Sequence, residues 1–225
     1  MTESARSRAT VALDVLGLVG FSACFGLVVF RIAGASNSAS RIALLLAMLP
    51  PGYLLADLAA GAVHWFCDTF FEEETPFVGS TFVRGFREHH RDPASITRHG
   101  FLELNGNTCL AAAAACATLL AVDPAQGWLS YALTTGGAAL CAAGASTNQL
   151  HRWAHDASPG RFVRALQRLG LILSPQHHAV HHAPPFNGHY CVTSGWMNGV
   201  LERVGVWRGA ERLLVGIGVP KARAG

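Results

Sequence analysis

Apolar residues along the chain gather in four long runs, separated by polar segments of very unequal length. The runs cover about residues 11–30, 42–64, 102–122 and 128–150. A helix needs about 20 predominantly apolar residues to cross a membrane, so each run predicts a span. The first carries one acid, Asp14, and the second is interrupted by Pro50 and Pro51. The third contains an unbroken alanine run at 111–115, and the fourth is rich in Gly, Ala, Ser and Thr. Small residues of this kind let membrane helices approach closely. The first run does not read as a signal peptide: it is long, and no small-residue cleavage site closes a short apolar region. The predicted fold class is therefore an all-α integral membrane protein of about four transmembrane helices, organised as a single domain over residues 1–225.

Loop lengths and arginines predict its orientation. The connections at 34–40 and 123–127 are short, whereas 65–101 and 151–225 are long and polar. With four spans, both long pieces and the N-terminus share one side. That side carries Arg6, Arg8, Arg84, Arg87, Arg91, Arg98, Arg152, Arg161, Arg164, Arg168, Arg203, Arg208 and Arg212, and the 123–127 loop carries no arginine. Arg31 and Arg41 flank the other short loop and count the opposite way, but they are outnumbered. Positive residues stay cytoplasmic, which makes the long pieces a cytoplasmic helical cap and places both termini in the cytoplasm.

Composition changes this picture little. Hydrophobic residues make up 51% and charged residues 14%, against about 25% charged in soluble domains. Disorder is excluded by the apolar content and a net charge of only +3. The six cysteines show no CxxC spacing and suggest neither a disulfide framework nor a sulfur-ligated cluster. Topology accounts for the arginines, and no nucleic-acid partner is expected. Lys221 is the only lysine; with abundant Ala, Gly and Arg, this bias suggests a bacterial genome and hence a bacterial inner-membrane protein.

Histidine carries the chemistry. All eleven histidines fall at the predicted cytoplasmic end of a span or in the two long polar pieces. Asp57, Gly61, His64 and Asp68 are spaced i, i+4, i+7, i+11, which places them on one helical face. Asn148, His151 and His155 follow i, i+3, i+7 at the end of the fourth run. Glu88, His89 and His90 form a third cluster, and His177, His178, His181 and His182 read HHxxHH. Neutral imidazole is the commonest metal ligand and suits iron, zinc and copper. A zinc site uses three or four protein ligands, so eight or nine clustered histidines suffice for two ions. Two irons can activate O2, chemistry that side chains do not supply unaided. Asp57, Asp68, Glu88 and Glu103 are candidate partners that orient imidazoles. An ionisable residue inside a span, such as Asp57, suggests function by itself. A zinc amidase or a lipid hydroxylase also fits a histidine-rich membrane face. A metal transporter fits poorly, since only Asp57 lies at mid-span.

The ordered motifs are more specific than their spacing. HWFCDT at 64–69, FREHHRDPASITRHGFLELNGN at 86–107, TNQLHRWAH at 147–155, LSPQHHAVHH at 173–182 and HYCVTSGWMN at 189–198 together resemble the lipid desaturase family that includes plasmanylethanolamine desaturase. The resemblance covers about residues 50–210. It implies an iron-dependent membrane desaturase using two iron ions and O2. The substrate it implies is an ether lipid converted to the vinyl ether of plasmalogens or, as in a plant relative, an acyl chain of phosphatidylglycerol. Carried over residue by residue, its ligands are His64, His89, His90, His151, His155, His178, His181 and His182, joined by His177. His99 and Asp68 also lie in matched motifs. Gly100 and Phe70 depart from the pattern, where an acid and a tryptophan are expected; neither position bears a ligand. The chain has no flavin fingerprint, haem motif or ferredoxin cysteine set, so an external electron donor of cytochrome b5 or ferredoxin type is expected. Arg84, Arg87 and Arg98 are candidate contacts for the lipid headgroup, because guanidinium forks suit phosphate.

Overall fold

The computed structural model describes residues 7–76, 79 and 83–222; Arg6 lies outside them. The described residues form helices with no strand. In chain order these are α1 (Arg8–Ala35), α2 (Ala39–Thr69), α3 (Arg84–Arg91), α4 (Phe101–Leu119), α5 (Trp128–His155), α6 (Arg161–Arg168), α7 (Pro175–Ala179), α8 (Asn198–Val204) and α9 (Val206–Gly216). All four apolar runs are thus helical. Among the described residues, α1 and α2 are the two helices long and apolar enough to cross a membrane. The polar residues Glu103, Asn105 and Asn107 lower the hydropathy of α4, and hydroxyl and amide residues lower that of α5. The α5 hydroxyls bond back to the preceding turn, Thr134 to Ser130 O at 2.7 Å and Thr135 to Tyr131 O at 2.8 Å. Such bonds satisfy a hydroxyl without a water partner.

The residues cluster into two compact units. One comprises residues 1–56 and 100–149, the other 57–99 and 150–225. The boundaries fall inside α2 and α5, which contribute to both.

In the first unit, α1 starts where the Ser7 hydroxyl accepts the Thr10 N–H at 3.1 Å, a side-chain N-cap. Glycine sets its packing. A methyl on Gly17 would strike the Gly106 carbonyl, and one on Gly106 would strike the Asp14 side chain. Gly52 of α2 stands equally close to Gly136 of α5. Close approach through small residues replaces the hydrophobic driving force that lipid does not provide. Val28, Ile32, Ala35, Cys116, Tyr131, Ala138 and Cys141 form its main core. Outer faces remain apolar, with Leu16, Val19, Phe30, Leu46 and Leu129 exposed. Arg31 and Arg41 are occupied locally. Arg31 donates to Leu120 O at 2.7 Å, and Arg41 donates to Ala35 O at 2.9 Å and Pro124 O at 3.2 Å. Binding of helix-end and loop carbonyls gives these two arginines a local use apart from the charge bias of the long segments.

In the second unit, Trp65, Phe70, Tyr190, Cys191, Leu201 and Trp207 make an aromatic-rich core. Helix α6 is anchored by Gln167, which donates to Trp153 O at 3.0 Å and Leu173 O at 3.3 Å. All six cysteines are free thiols.

Candidate metal centre

The second unit holds the histidines of α2, α3, α5 and α7 and of the turn after α7. Two groups form, each with its candidate ligand atoms within 4.8 Å of one another: His89, His151, His155, His178 and His182, and separately His64, Asp68, His90 and His181. Helical geometry sorts them. Residues three or four apart share a face, so His151 and His155 stay together, as do His178 and His182, and His64 and Asp68. Adjacent residues point about 100° apart on a helix of 3.6 residues per turn. The neighbouring pair His89–His90 on α3 therefore divides between the groups, as does His181–His182 in the turn after α7, where both backbone N–H groups bond to the His178 carbonyl.

Distances within each group match a coordination sphere. Metal–nitrogen bonds of about 2.1 Å put neighbouring ligand atoms about 3 Å apart and opposite ones about 4 Å apart. In the first group Nε2 of His178 lies 2.8 Å from Nε2 of His151 and 3.1 Å from Nε2 of His182. Nε2 of His182 lies 3.1 Å from Nε2 of His89. One proton cannot bridge both contacts of His178, whereas one cation at the centre satisfies every lone pair.

In the second group the backbone fixes the tautomers. His64 Nδ1–H donates to Tyr190 O at 3.2 Å, and His181 Nδ1–H donates to Gly188 O at 2.7 Å. Carbonyls only accept, so Nε2 of each ring carries the lone pair. These two Nε2 atoms are buried without a hydrogen-bond partner among the described residues. They stand 3.4 and 3.5 Å from Asp68 Oδ2, with His90 Nε2 at 2.9 Å from the same oxygen. Two lone pairs and a carboxylate oxygen converging in a buried site are favourably satisfied by a cation between them. The donor set therefore fits a metal ion, and backbone carbonyls behind ligating imidazoles are the usual support for one.

Burial keeps His89, His178, His181 and His182 neutral. Burial, aided by neighbouring histidines, pushes His89 down to about 2 and His182 to about 3. His178 is held well below the ordinary value by burial and by His155. His181 falls to about 4 through burial, against the opposing pull of Asp68 and of the Gly188 carbonyl. Neutral imidazole is the ligating form.

Eight of the nine candidate histidine ligands enter these groups, and Asp68 joins them directly. His177 does not. It precedes His178 by one residue on α7 and so points elsewhere, with Nε2 3.1 Å from Asn198 Nδ2 and its ring 5.2 Å from that of His189. Asp57, Glu88, His99, Glu103 and Asn148 also stand outside both groups. Asp57 is buried against the turn at 193–197, and Glu88 is exposed on α3. Glu103 and Asn148 belong to the first unit, where Asn148 donates to Leu104 O at 2.7 Å. Arg98 pairs with Asp92 at 2.5 Å, Arg87 Nη2 lies 3.5 Å from Phe71 O, and Arg84 is exposed. Spacing did not reveal Gly188 and Tyr190, because they act through carbonyls; their only signal was their place in or beside the motif at 189–198.

Long apolar helices accompanied by two buried donor groups, each able to hold a metal ion, define a helical protein with a candidate two-part metal centre. The sequence comparisons are specific: residues 53–224 match the lipid desaturase domain, and the chain belongs to the lipid desaturase family. It is 40% identical over 209 residues to plasmanylethanolamine desaturase of Myxococcus xanthus, covering 92% of this chain and 73% of that protein. Identity to mouse plasmanylethanolamine desaturase 1 is 37%, covering 77% of this chain and 66% of the relative. The chloroplastic fatty acid desaturase 4 of Arabidopsis thaliana is 36% identical, covering 71% and 48%. No solved structure matches the chain.

Proposed function

We propose that this protein is a membrane lipid desaturase that introduces the vinyl-ether double bond of plasmalogens into an alkyl ether lipid. The observation that carries this reading is the pair of adjacent buried donor groups, built from the family's own histidine motifs. The two relatives above that match over the longest stretches are named plasmanylethanolamine desaturases.

Two iron ions held by the groups would activate O2, which is the oxidant. The balance is a saturated CH2–CH2 unit plus O2, two electrons and two protons, giving CH=CH and two waters. His89, His151, His155, His178 and His182 would hold one ion, and His64, Asp68, His90 and His181 the other. The chain's own residues bind and orient. The carbonyls of Gly188 and Tyr190 fix the ligating face of His181 and His64. The rings of Phe86 and Tyr190 pack against His64 at 5.0 and 5.9 Å, shielding it from water. Arg84, Arg87 and Arg98 are proposed for the phosphate of the headgroup. An external carrier of cytochrome b5 or ferredoxin type supplies the electrons.

The chain is proposed to act as one multi-pass domain with four spans. The support is helix over most of each apolar run, and the arginine bias favours a cytoplasmic side for the termini and histidines. A second reading, acyl desaturation of a phospholipid, is favoured by the relative named fatty acid desaturase 4.

The test is lipid mass spectrometry on a bacterium expressing the chain or its His178→Ala variant, fed an alkylglycerol precursor in air. A product lighter by two hydrogens, cleaved by mild acid to a fatty aldehyde and made by the wild type alone, is the expected outcome. An untouched alkyl lipid beside a new acid-stable acyl double bond would transfer the assignment to the second reading.

A further inference from the structure

The stripe Asp57, Gly61, His64, Asp68 has a use beyond ligation, because the segment 188–198 lies along it. At its foot, Asp57 is fully buried. Its Oδ1 accepts the backbone N–H groups of Thr193, Ser194 and Gly195 at 3.0, 2.9 and 3.2 Å. Its Oδ2 accepts the Ser194 hydroxyl at 3.0 Å, with the Met197 N–H at 3.4 Å. Converging N–H groups form an anion-binding nest, and here the anion is part of the chain. One turn on, Gly61 leaves room for Cys191: a methyl there would sit 2.5 Å from the Cys191 sulfur and 3.2 Å from its backbone nitrogen. Asn198, also fully buried, holds Cys191 from the other side, accepting its N–H at 2.9 Å and donating to its carbonyl at 3.1 Å. At the next turn His64 meets the Tyr190 carbonyl. Between Tyr190 and Gly188 the chain turns through His189 at φ 58°, with its N–H bonded to Glu202 Oε1 at 3.2 Å. A non-glycine residue in the left-handed region persists where its surroundings hold it there. This turn presents the Gly188 carbonyl to His181.

From this geometry we infer that Asp57 is a positioning residue for the second group. It clamps the 193–197 turn, and through it sets the height of the two carbonyls that orient His64 and His181. Its loss disables the His64, Asp68, His90 and His181 group and leaves the other group able to bind. The inference rests on reading both groups as metal sites. It adds that one buried carboxylate, itself not a ligand, decides the occupancy of only one of them.

The test uses the purified full chain, stripped of metal and reloaded anaerobically with Fe(II) alone. Iron per chain is counted by elemental analysis, and Mössbauer and EPR spectra are taken after oxidation. Wild type is expected to bind two irons and show a coupled pair. Asp57→Asn places an NH2 group among the backbone donors and is expected to bind one iron, with the spectrum of an isolated ferric ion. Ser194→Ala keeps the three bonds to Oδ1 and is expected to keep both irons. Two irons in Asp57→Asn of unchanged helix content, or loss of both, overturns the inference while the metal reading stands. No iron in the wild type overturns the metal reading itself. If Asp57→Asn does not fold, Asn198→Ala decides, since it frees Cys191 without burying a lone charge. One iron is expected there, and two irons in the folded variant overturn the inference.

Discussion

An imidazole can ligate only through a nitrogen without a proton, so the tautomer of each ring is a structural decision. For His64 and His181 the backbone makes it, at 3.2 and 2.7 Å. For His178 crowding makes it, with two other Nε2 atoms within 3.1 Å. Removing one ligand from each group tests both. His64→Ala and His178→Ala are each expected to lower double-bond formation at least about 100-fold, because even support of a ligand is worth about 10–100-fold. Product lipid and helix content are the readouts, and a folded variant with wild-type turnover removes that residue from the centre. Protonation gives a second test at this scale. His89, His178 and His181 have values depressed below 6.5 in the fold. The unfolded chain then binds more protons between the folded values and 6.5, so stability is fully present above pH 6.5 and lost as pH falls below it. Each such group contributes a slope of up to about 1.4 kcal/mol per pH unit in that window. The metal-free protein in detergent is expected to melt at steadily lower temperature from pH 6.5 to 4, and a separate iron-loaded sample is expected to release its metal over the same range. A flat melting profile would mean that these rings are more hydrated than their burial indicates.

At the scale of elements, helix contacts rest on absent side chains. Gly17 of α1 faces the Gly106 carbonyl of α4 so closely that no Cβ fits. Gly17→Ala is expected to cost about 1–3 kcal/mol, the range for overpacking a filled contact, read as a lower melting temperature in detergent. Gly26, with open space at its Cβ position, is the control, and Gly26→Ala should melt like the wild type. The stretch from α7 into the turn that follows it sorts chemically by single residues: one residue of offset sends His181 and His182 to different groups and leaves His177 with Asn198.

At the scale of the whole molecule, an ion held by these groups would link metal binding to folding. A ligand that binds only the folded state stabilises it by about 2.7 kcal/mol at 100 times its dissociation constant. Chelator treatment is therefore expected to lower the melting temperature of the wild type, and Fe(II) to restore it. In His178→Ala the same treatment should produce a smaller shift. Equal shifts in both would separate stability from the centre. The arginines divide by role at this scale too. Arg31 and Arg41 serve helix-end and loop carbonyls in the first unit, whereas Arg91 and Arg98 pair with Glu73 and Asp92 in the second.

The sequence by itself determined the helical character, because long apolar runs in a weakly charged chain leave the backbone few other ways to satisfy its polar groups. It also pointed to the donor chemistry, since the i, i+4 spacings 64–68, 151–155 and 178–182 each bring two donors of one group together. Only the tertiary structure decided how the donors divide in two, because that depends on which faces of α2, α3, α5 and α7 meet. The same holds for Asp57, which by its position within an apolar run reads as a partner that orients an imidazole. Its five donors come from residues 136 to 140 positions further along the chain, and contacts over that separation leave no periodic trace in the sequence.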